Sequence, residues 1–170
     1  MVAVNDKFPT ETKFVYVPIT PETSDIKACG IPGPLDFDKE FADKTVVIVS
    51  IPGAFTPTCM ENHVPPFLEH LSDLKAKGVD VFIVVAANDP FVMSAFAKAN
   101  KVSDDSVYFV TDPDAELSKK LGFTLQLPPG FGLRTGRYAL VVKKGVITYV
   151  GNEPGSGLTV SSYESVIAAL

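Results

Sequence analysis

Residues 46–67 read VVIVSIPGAFTPTCMENHVPPF. The opening run belongs to a segment, 45–51, that is rich in β-branched residues and has the composition of a strand buried on both faces. That pattern stops at Pro52-Gly53. From Pro57 onward Val64, Phe67, Leu68, Leu71 and Leu74 recur at helical spacing until Lys77-Gly78 ends the run. A strand therefore turns into a helix within a few residues, and Cys59, one of only 2 cysteines, lies just past the junction.

Working outward, residues 12–17 predict an early strand, followed by a proline-punctuated stretch that holds Cys29. Residues 79–86, VDVFIVVA, predict a second buried strand, and Asn88-Asp89-Pro90 opens a helix through about Asn100. Residues 107–111 give a third strand and 114–121 a short helix. Residues 137–150 read as two strands around a turn at Lys144-Gly145, and 160–170 as an amphipathic closing helix. Strands alternating with helices, then a hairpin and a helix, predict an α/β domain over 1–170 with a mixed central sheet, compatible with a thioredoxin-like architecture. Other three-layer α/β folds share that order of elements.

Composition bounds the function. The 170 residues carry a net charge of -5 with 21% charged residues and no basic cluster, which argues against an extended nucleic-acid surface. No apolar stretch approaches the ~20 residues of a membrane span. The start MVAVNDKFPT lacks a secretory layout, and the end VIAAL is not a peroxisomal Ser-Lys-Leu address. A cytoplasmic, reducing location is the expectation, in which a scarce thiol persists for reactivity or packing.

A helix beginning at Pro57 puts Thr56 at the N-cap, Pro57 where its missing N–H costs nothing, and Cys59 in the first turn. Amides there have no intrahelical partner, and their dipoles favour an anion, so the site suits a thiolate. Thiolate formation alone is insufficient. Lowering a cysteine pKa from ~8.5 to ~6 enlarges its thiolate population at pH 7 about thirtyfold, and lost basicity removes roughly tenfold of the gain. A fast enzyme needs further groups to orient substrate and stabilise charge: Thr56 through its hydroxyl, and a cation from elsewhere. Thr56 also occupies the position where a Cys-x-x-Cys oxidoreductase would carry its second sulfur, so no local disulfide can close.

The stretch Pro52-Gly53-Ala54-Phe55-Thr56-Pro57-Thr58-Cys59 resembles the peroxiredoxin signature Pro-x-x-x-Thr-x-x-Cys. His63-Val64-Pro65, Asn88-Asp89-Pro90-Phe91-Val92-Met93 and Arg137-Tyr138-Ala139-Leu140-Val141 resemble the branch of plant type-II and fungal alkyl hydroperoxide reductases, which has a thioredoxin fold and includes fungal allergens. The resemblance implies that Cys59 is the peroxidatic cysteine, that the Thr56 hydroxyl contacts thiolate and peroxide, and that Pro52 limits solvent access. It implies that Arg137, rather than the nearby Arg134, polarises the peroxide. Cys29 matches the resolving cysteine of some fungal relatives, which bond across a homodimer. Val160 and Val84 stand where animal and plant relatives carry theirs, so those routes within one subunit are absent. The implied activity is reduction of hydrogen peroxide and alkyl hydroperoxides, with thioredoxin, glutaredoxin or glutathione as reductant and no metal, flavin or haem. A homodimer with Phe55 and Phe91 at the contact is also implied.

Other readings stand beside this one. Cys29 could be an inert loop cysteine, leaving resolution to an external thiol. Cys59, His63 and His70 fall near one helix face and, with Cys29, could hold zinc, although the spacing matches no standard short signature. Cys59 with His63 could serve acyl transfer or hydrolysis. A redox sensor with little turnover would use the same thiol. Pro128-Pro129-Gly130-Phe131-Gly132 reads as a loop leading to Arg137, and Phe131 as a side chain at a substrate entrance, a subunit contact or simply packed in the loop.

Overall fold

The computed structural model describes residues 1–170. Nine strands form: β1 (Lys13–Tyr16), β2 (Gly33–Asp36), β3 (Thr45–Ser50), β4 (Val81–Ala86), β5 (Tyr108–Thr111), β6 (Thr124–Gln126), β7 (Leu133–Thr135), β8 (Tyr138–Lys143) and β9 (Val146–Asn152). Seven make the central sheet in the order β2-β1-β5-β4-β3-β8-β9, while β6 and β7 pair separately as a hairpin. β3, β4 and β5 are parallel, and the flanking pairs are antiparallel, so the sheet is mixed as expected.

Helices α1 (Phe37–Phe41), α2 (Val64–Glu69), α3 (Leu71–Ala76), α4 (Pro90–Ala99), α5 (Glu116–Leu121) and α6 (Tyr163–Ala168) cover the sheet. Alternation along β3 explains its unbroken apolar run. Val47, Val49 and Ile51 enter one core with Phe67, Phe96 and Val166, whereas Val46 and Ile48 enter a second core with Phe37, Phe41 and Leu121. Cys59 belongs to the first core. Asp89 caps α4 by accepting from the amides of Phe91 and Val92. The β8–β9 turn falls at Lys144-Gly145, both at positive φ (49° and 75°), the geometry that a two-residue hairpin requires.

Three expectations change. The proline-punctuated stretch contains β2 and α1. Its Pro34 is tolerated because β2 is an edge strand. The loop before Arg137 is the tip of the β6–β7 hairpin. The helix predicted from Pro57 to Lys77 is not continuous: residues 59–63 form a π-helical turn, closed by the Val64 amide donating to the Cys59 carbonyl, and the helix breaks again at His70.

Candidate active site

The site grows from the end of β3. After Ser50 the chain leaves the sheet, and the Ile51 amide still donates to Val85 O. The turn is then fixed from the bend after β4, because Asn88 Oδ1 accepts from the Ala54 amide at 2.9 Å. Phe55 takes a left-handed conformation (φ 61°) and lays its ring edge-on against Phe96, at 5.2 Å between centroids. Helical residues begin at Pro57, and the Thr56 carbonyl accepts from the Met60 amide. The backbone thus uses Thr56 as an N-cap. Its hydroxyl does not cap, however, and instead donates back to Gly53 O at 2.9 Å.

Across the sheet, Arg137 sits immediately before β8. Gly136 permits this placement: its amide donates to Phe123 O, and a Cβ there would lie 2.6 Å from that same oxygen. Ser50 Oγ donates to Gly136 O and Thr135 Oγ1 to Ile51 O, tying the two strand ends together. Arg137 is 9% exposed and Cys59 is fully buried. Arg137 Nη1 lies 3.4 Å from Cys59 Sγ and 3.0 Å from His63 Nδ1. Its Nε is buried with no partner in the chain, a donor that a ligand oxygen can complete.

His63 is also fully buried, and both ring nitrogens are engaged. Nε2 lies 2.9 Å from Ser161 O, a pure acceptor, so Nε2 carries the hydrogen and Nδ1 accepts from Arg137. Burial and the neighbouring guanidinium push the His63 pKa down to about 4, against the Ser161 carbonyl and the Glu153 charge, so the ring is neutral at pH 7.

Pro52, Thr56 and Arg137 share the wall of a cavity of about 670 Å3 whose far side carries Phe123, Leu125 and Leu127. Among the residues singled out by sequence, the structure gathers Cys59, Thr56, Pro52 and Arg137 at this end of the sheet. Arg134 points elsewhere, with Nε donating to Phe131 O. Cys29 is exposed on its loop and makes no contact with Cys59; the loop is tied to α4 by Lys98 Nζ donating to Ala28 O. His70 is exposed, paired with Asp73 and stacked on Tyr163, so the conjectured zinc set is not assembled. Neither His63 nitrogen bonds Cys59, so the base of a cysteine hydrolase is not in place. Sequence reading missed Glu153 and Ser161, which no short motif announces.

A family model described as redoxin matches residues 3–167. The chain belongs to the redoxin family, as a peroxiredoxin. A Lipomyces kononenkoae protein named as a peroxisomal peroxiredoxin is 58% identical over 98% of this chain and 100% of its own length. Peroxiredoxin Pen c 3 of Penicillium citrinum is 43% identical over 97% of this chain and 96% of its own. Among solved structures, reduced Prx3 of Vibrio vulnificus in complex with H2O2 superposes with a TM-score of 0.86 at 34% identity, covering 99% of both chains. This peroxiredoxin is a thiol peroxidase with a thioredoxin fold, and no helix in it is long and apolar enough to cross a membrane.

Proposed function

We propose that this peroxiredoxin reduces hydrogen peroxide and small alkyl hydroperoxides at Cys59, with Cys29 of a partner subunit resolving the product and thioredoxin recycling it. The observation that carries the reading is the 3.4 Å approach of the Arg137 guanidinium to a buried Cys59 sulfur, with Arg137 lining one cavity together with Thr56 and Pro52. The thiolate attacks the terminal peroxide oxygen, the O–O bond breaks, and Cys59 becomes a sulfenic acid that keeps the substrate's hydroxyl, while the departing hydroxide or alkoxide takes a proton from solvent to leave as water or alcohol. Thr56 has committed its hydrogen to Gly53 O, so toward a substrate it can only accept, which orients an incoming O–H. Arg137 supplies donors to the oxygen on which charge develops, including the unpartnered Nε–H. Pro52 closes part of the cavity wall against solvent.

The Cys29 thiolate then attacks the sulfenic sulfur to form a disulfide, the S–O bond breaks, and the departing hydroxide takes a proton from solvent to leave as water; a dithiol reductant opens the disulfide. Because Cys29 is exposed and Cys59 buried, that step requires the start of the helix to loosen. Phe55 and Phe91, each 50% exposed, are the apolar side chains we assign to a homodimer contact. Glutaredoxin or glutathione are the alternative reductants. The exposed and separate position of Cys29 also favours a second reading, a one-cysteine cycle resolved by an external thiol. We assign a cytoplasmic location. The name of the Lipomyces relative makes the peroxisome the alternative that imaging of the tagged protein would reveal.

Peroxide treatment followed by non-reducing electrophoresis tests the scheme. Wild type should give a disulfide-linked dimer, Cys29→Ser none, and Cys59→Ser neither crosslinking nor peroxide consumption. A Cys59→Ser variant that still consumes peroxide overturns the whole reading. Crosslinking that survives loss of Cys29 overturns only its resolution step.

A further inference from the structure

Glu153 lies one residue beyond β9, directly across from Arg137. Its backbone amide donates to Arg137 O at 3.0 Å. Its side chain turns into the following loop, where Oε1 accepts from the Ser161 amide, the Ser161 hydroxyl and the Thr159 amide, all at 2.7–2.8 Å. Oε2 takes the Thr159 hydroxyl at 2.8 Å. This residue is only 8% exposed. Burial pushes its carboxyl pKa up, but the bonds from Thr159 and Ser161 outweigh that and hold it below the usual range, so it is an acceptor at neutral pH.

The loop is pinned a second time. The Tyr149 hydroxyl donates to Val160 O at 2.6 Å, and Gly151 leaves room where a Cβ would fall 2.0 Å from that oxygen. Ser161 is thereby held with its own carbonyl facing His63 Nε2, and His63 Nδ1 takes Arg137 Nη1. The bonds close a ring: Arg137 backbone, Glu153, Ser161, His63, Arg137 side chain. A guanidinium on a flexible stem has many ways to approach a sulfur, and this ring selects one of them.

We propose that Glu153 is a positioning residue for Arg137, acting through Ser161 and His63 so that the guanidinium meets Cys59 in a single orientation. This rests on the reading of Cys59 and Arg137 as the reactive pair. The carboxylate acts by geometry, because an amide can reproduce its bonds. In a Glu153→Gln variant the side-chain oxygen would accept from Ser161 and the Thr159 amide, and the side-chain nitrogen would donate to the Thr159 hydroxyl.

The test is stopped-flow oxidation of Cys59 by hydrogen peroxide in the full chain. Glu153→Ala should lower the second-order rate constant by about ten- to a hundredfold, and Glu153→Gln by less than about threefold. In an Arg137→Gln background, Glu153→Ala should add less than about twofold, since its effect passes through a side chain already gone. The His63 Nε2–H resonance should persist in wild type and Glu153→Gln and exchange away in Glu153→Ala. Phe41→Leu, in the opposite core, controls for lost stability and should keep the rate. Should Glu153→Ala not fold, Glu153→Asp, whose carboxylate stops one methylene short of the Ser161 amide, should slow the reaction while Thr159→Val, which leaves both Ser161 bonds to Glu153 in place, should not. Equal slowing by Glu153→Ala and Glu153→Gln, full speed in Glu153→Ala, or the same loss in the Arg137→Gln background each overturns the proposal. Arg137→Gln reacting at the wild-type rate would instead sink the reactive-pair reading beneath it.

Discussion

Arg137 Nη1 has two recipients inside the chain, a sulfur and an imidazole nitrogen, and Nε remains free. In the proposed reaction one side chain answers three demands: stabilising an anion, bonding a neutral base and offering a donor to substrate. A lysine cannot meet all three, because its charge is a point on a flexible stem and it lacks the planar fork. Arg137→Lys should therefore keep the fold yet slow peroxide oxidation of Cys59 about tenfold or more, measured by stopped flow at saturating reductant. Retention of the full rate would mean that a point charge suffices and that the fork is irrelevant. Thr56 presents the complementary case. Its hydrogen is already spent on Gly53 O, so Thr56→Ser should preserve the acceptor and Thr56→Val remove it. The rate with Thr56→Val should fall at least about tenfold below that with Thr56→Ser.

Among the elements, β9 and the loop after it decide how well the site is held. A Cβ on Gly151 meets Val160 O at 2.0 Å, whereas one on Gly155 meets nothing within 4 Å. Gly151→Ala must push the loop off β9, at a cost of about 2–3 kcal/mol, and so should lower Tm by about 4–12 °C; Gly155→Ala should leave it unchanged. Calorimetry of the two variants checks this, and equal Tm values would mean that the loop is not anchored there. The same element shows what a sequence can and cannot disclose. Lys144-Gly145 announces the β8–β9 hairpin, and Pro52 to Cys59 announces a strand-to-helix junction, because both depend on neighbours in the chain. The π-helical turn at Cys59 leaves no signal in the sequence, because its residues read as ordinary helix. β6 and β7 are 3 residues each, too short for a period to register. Glu153 and Ser161 matter only through a ring that closes across 24 residues, from Arg137 to Ser161, and back to His63.

For the whole molecule, the ring of bonds joins two distant parts of the chain, the helix after β3 and the segment from β8 to the loop before α6. Its weakest member under acid is His63. The folded protein holds this imidazole neutral with a pKa of about 4, whereas a free histidine titrates at 6.5. Between those pH values the unfolded chain binds a proton that the folded chain refuses, so stability falls as pH drops from 6.5 toward 4 and levels off below. The sign is opposite to that of Asp112, whose carboxyl pKa is raised by burial despite bonds from Leu117 and Ser118. A raised carboxyl gains stability as pH falls, so Asp112 can offset the loss at His63 but cannot mimic it. Glu153, held below the usual range, loses its contribution only as pH falls beneath the ordinary carboxylate values. Moving from pH 7.5 to 5.5 should therefore cost about 1.4 kcal/mol of unfolding free energy through His63. Urea unfolding at the two pH values measures it. His63→Asn, which can return an acceptor near Nδ1 without a titrating group, should flatten the dependence over that interval. A His63→Asn variant with the wild-type slope would place the acid sensitivity elsewhere, and the buried imidazole would then not be the neutral acceptor on which the orientation of Arg137 depends.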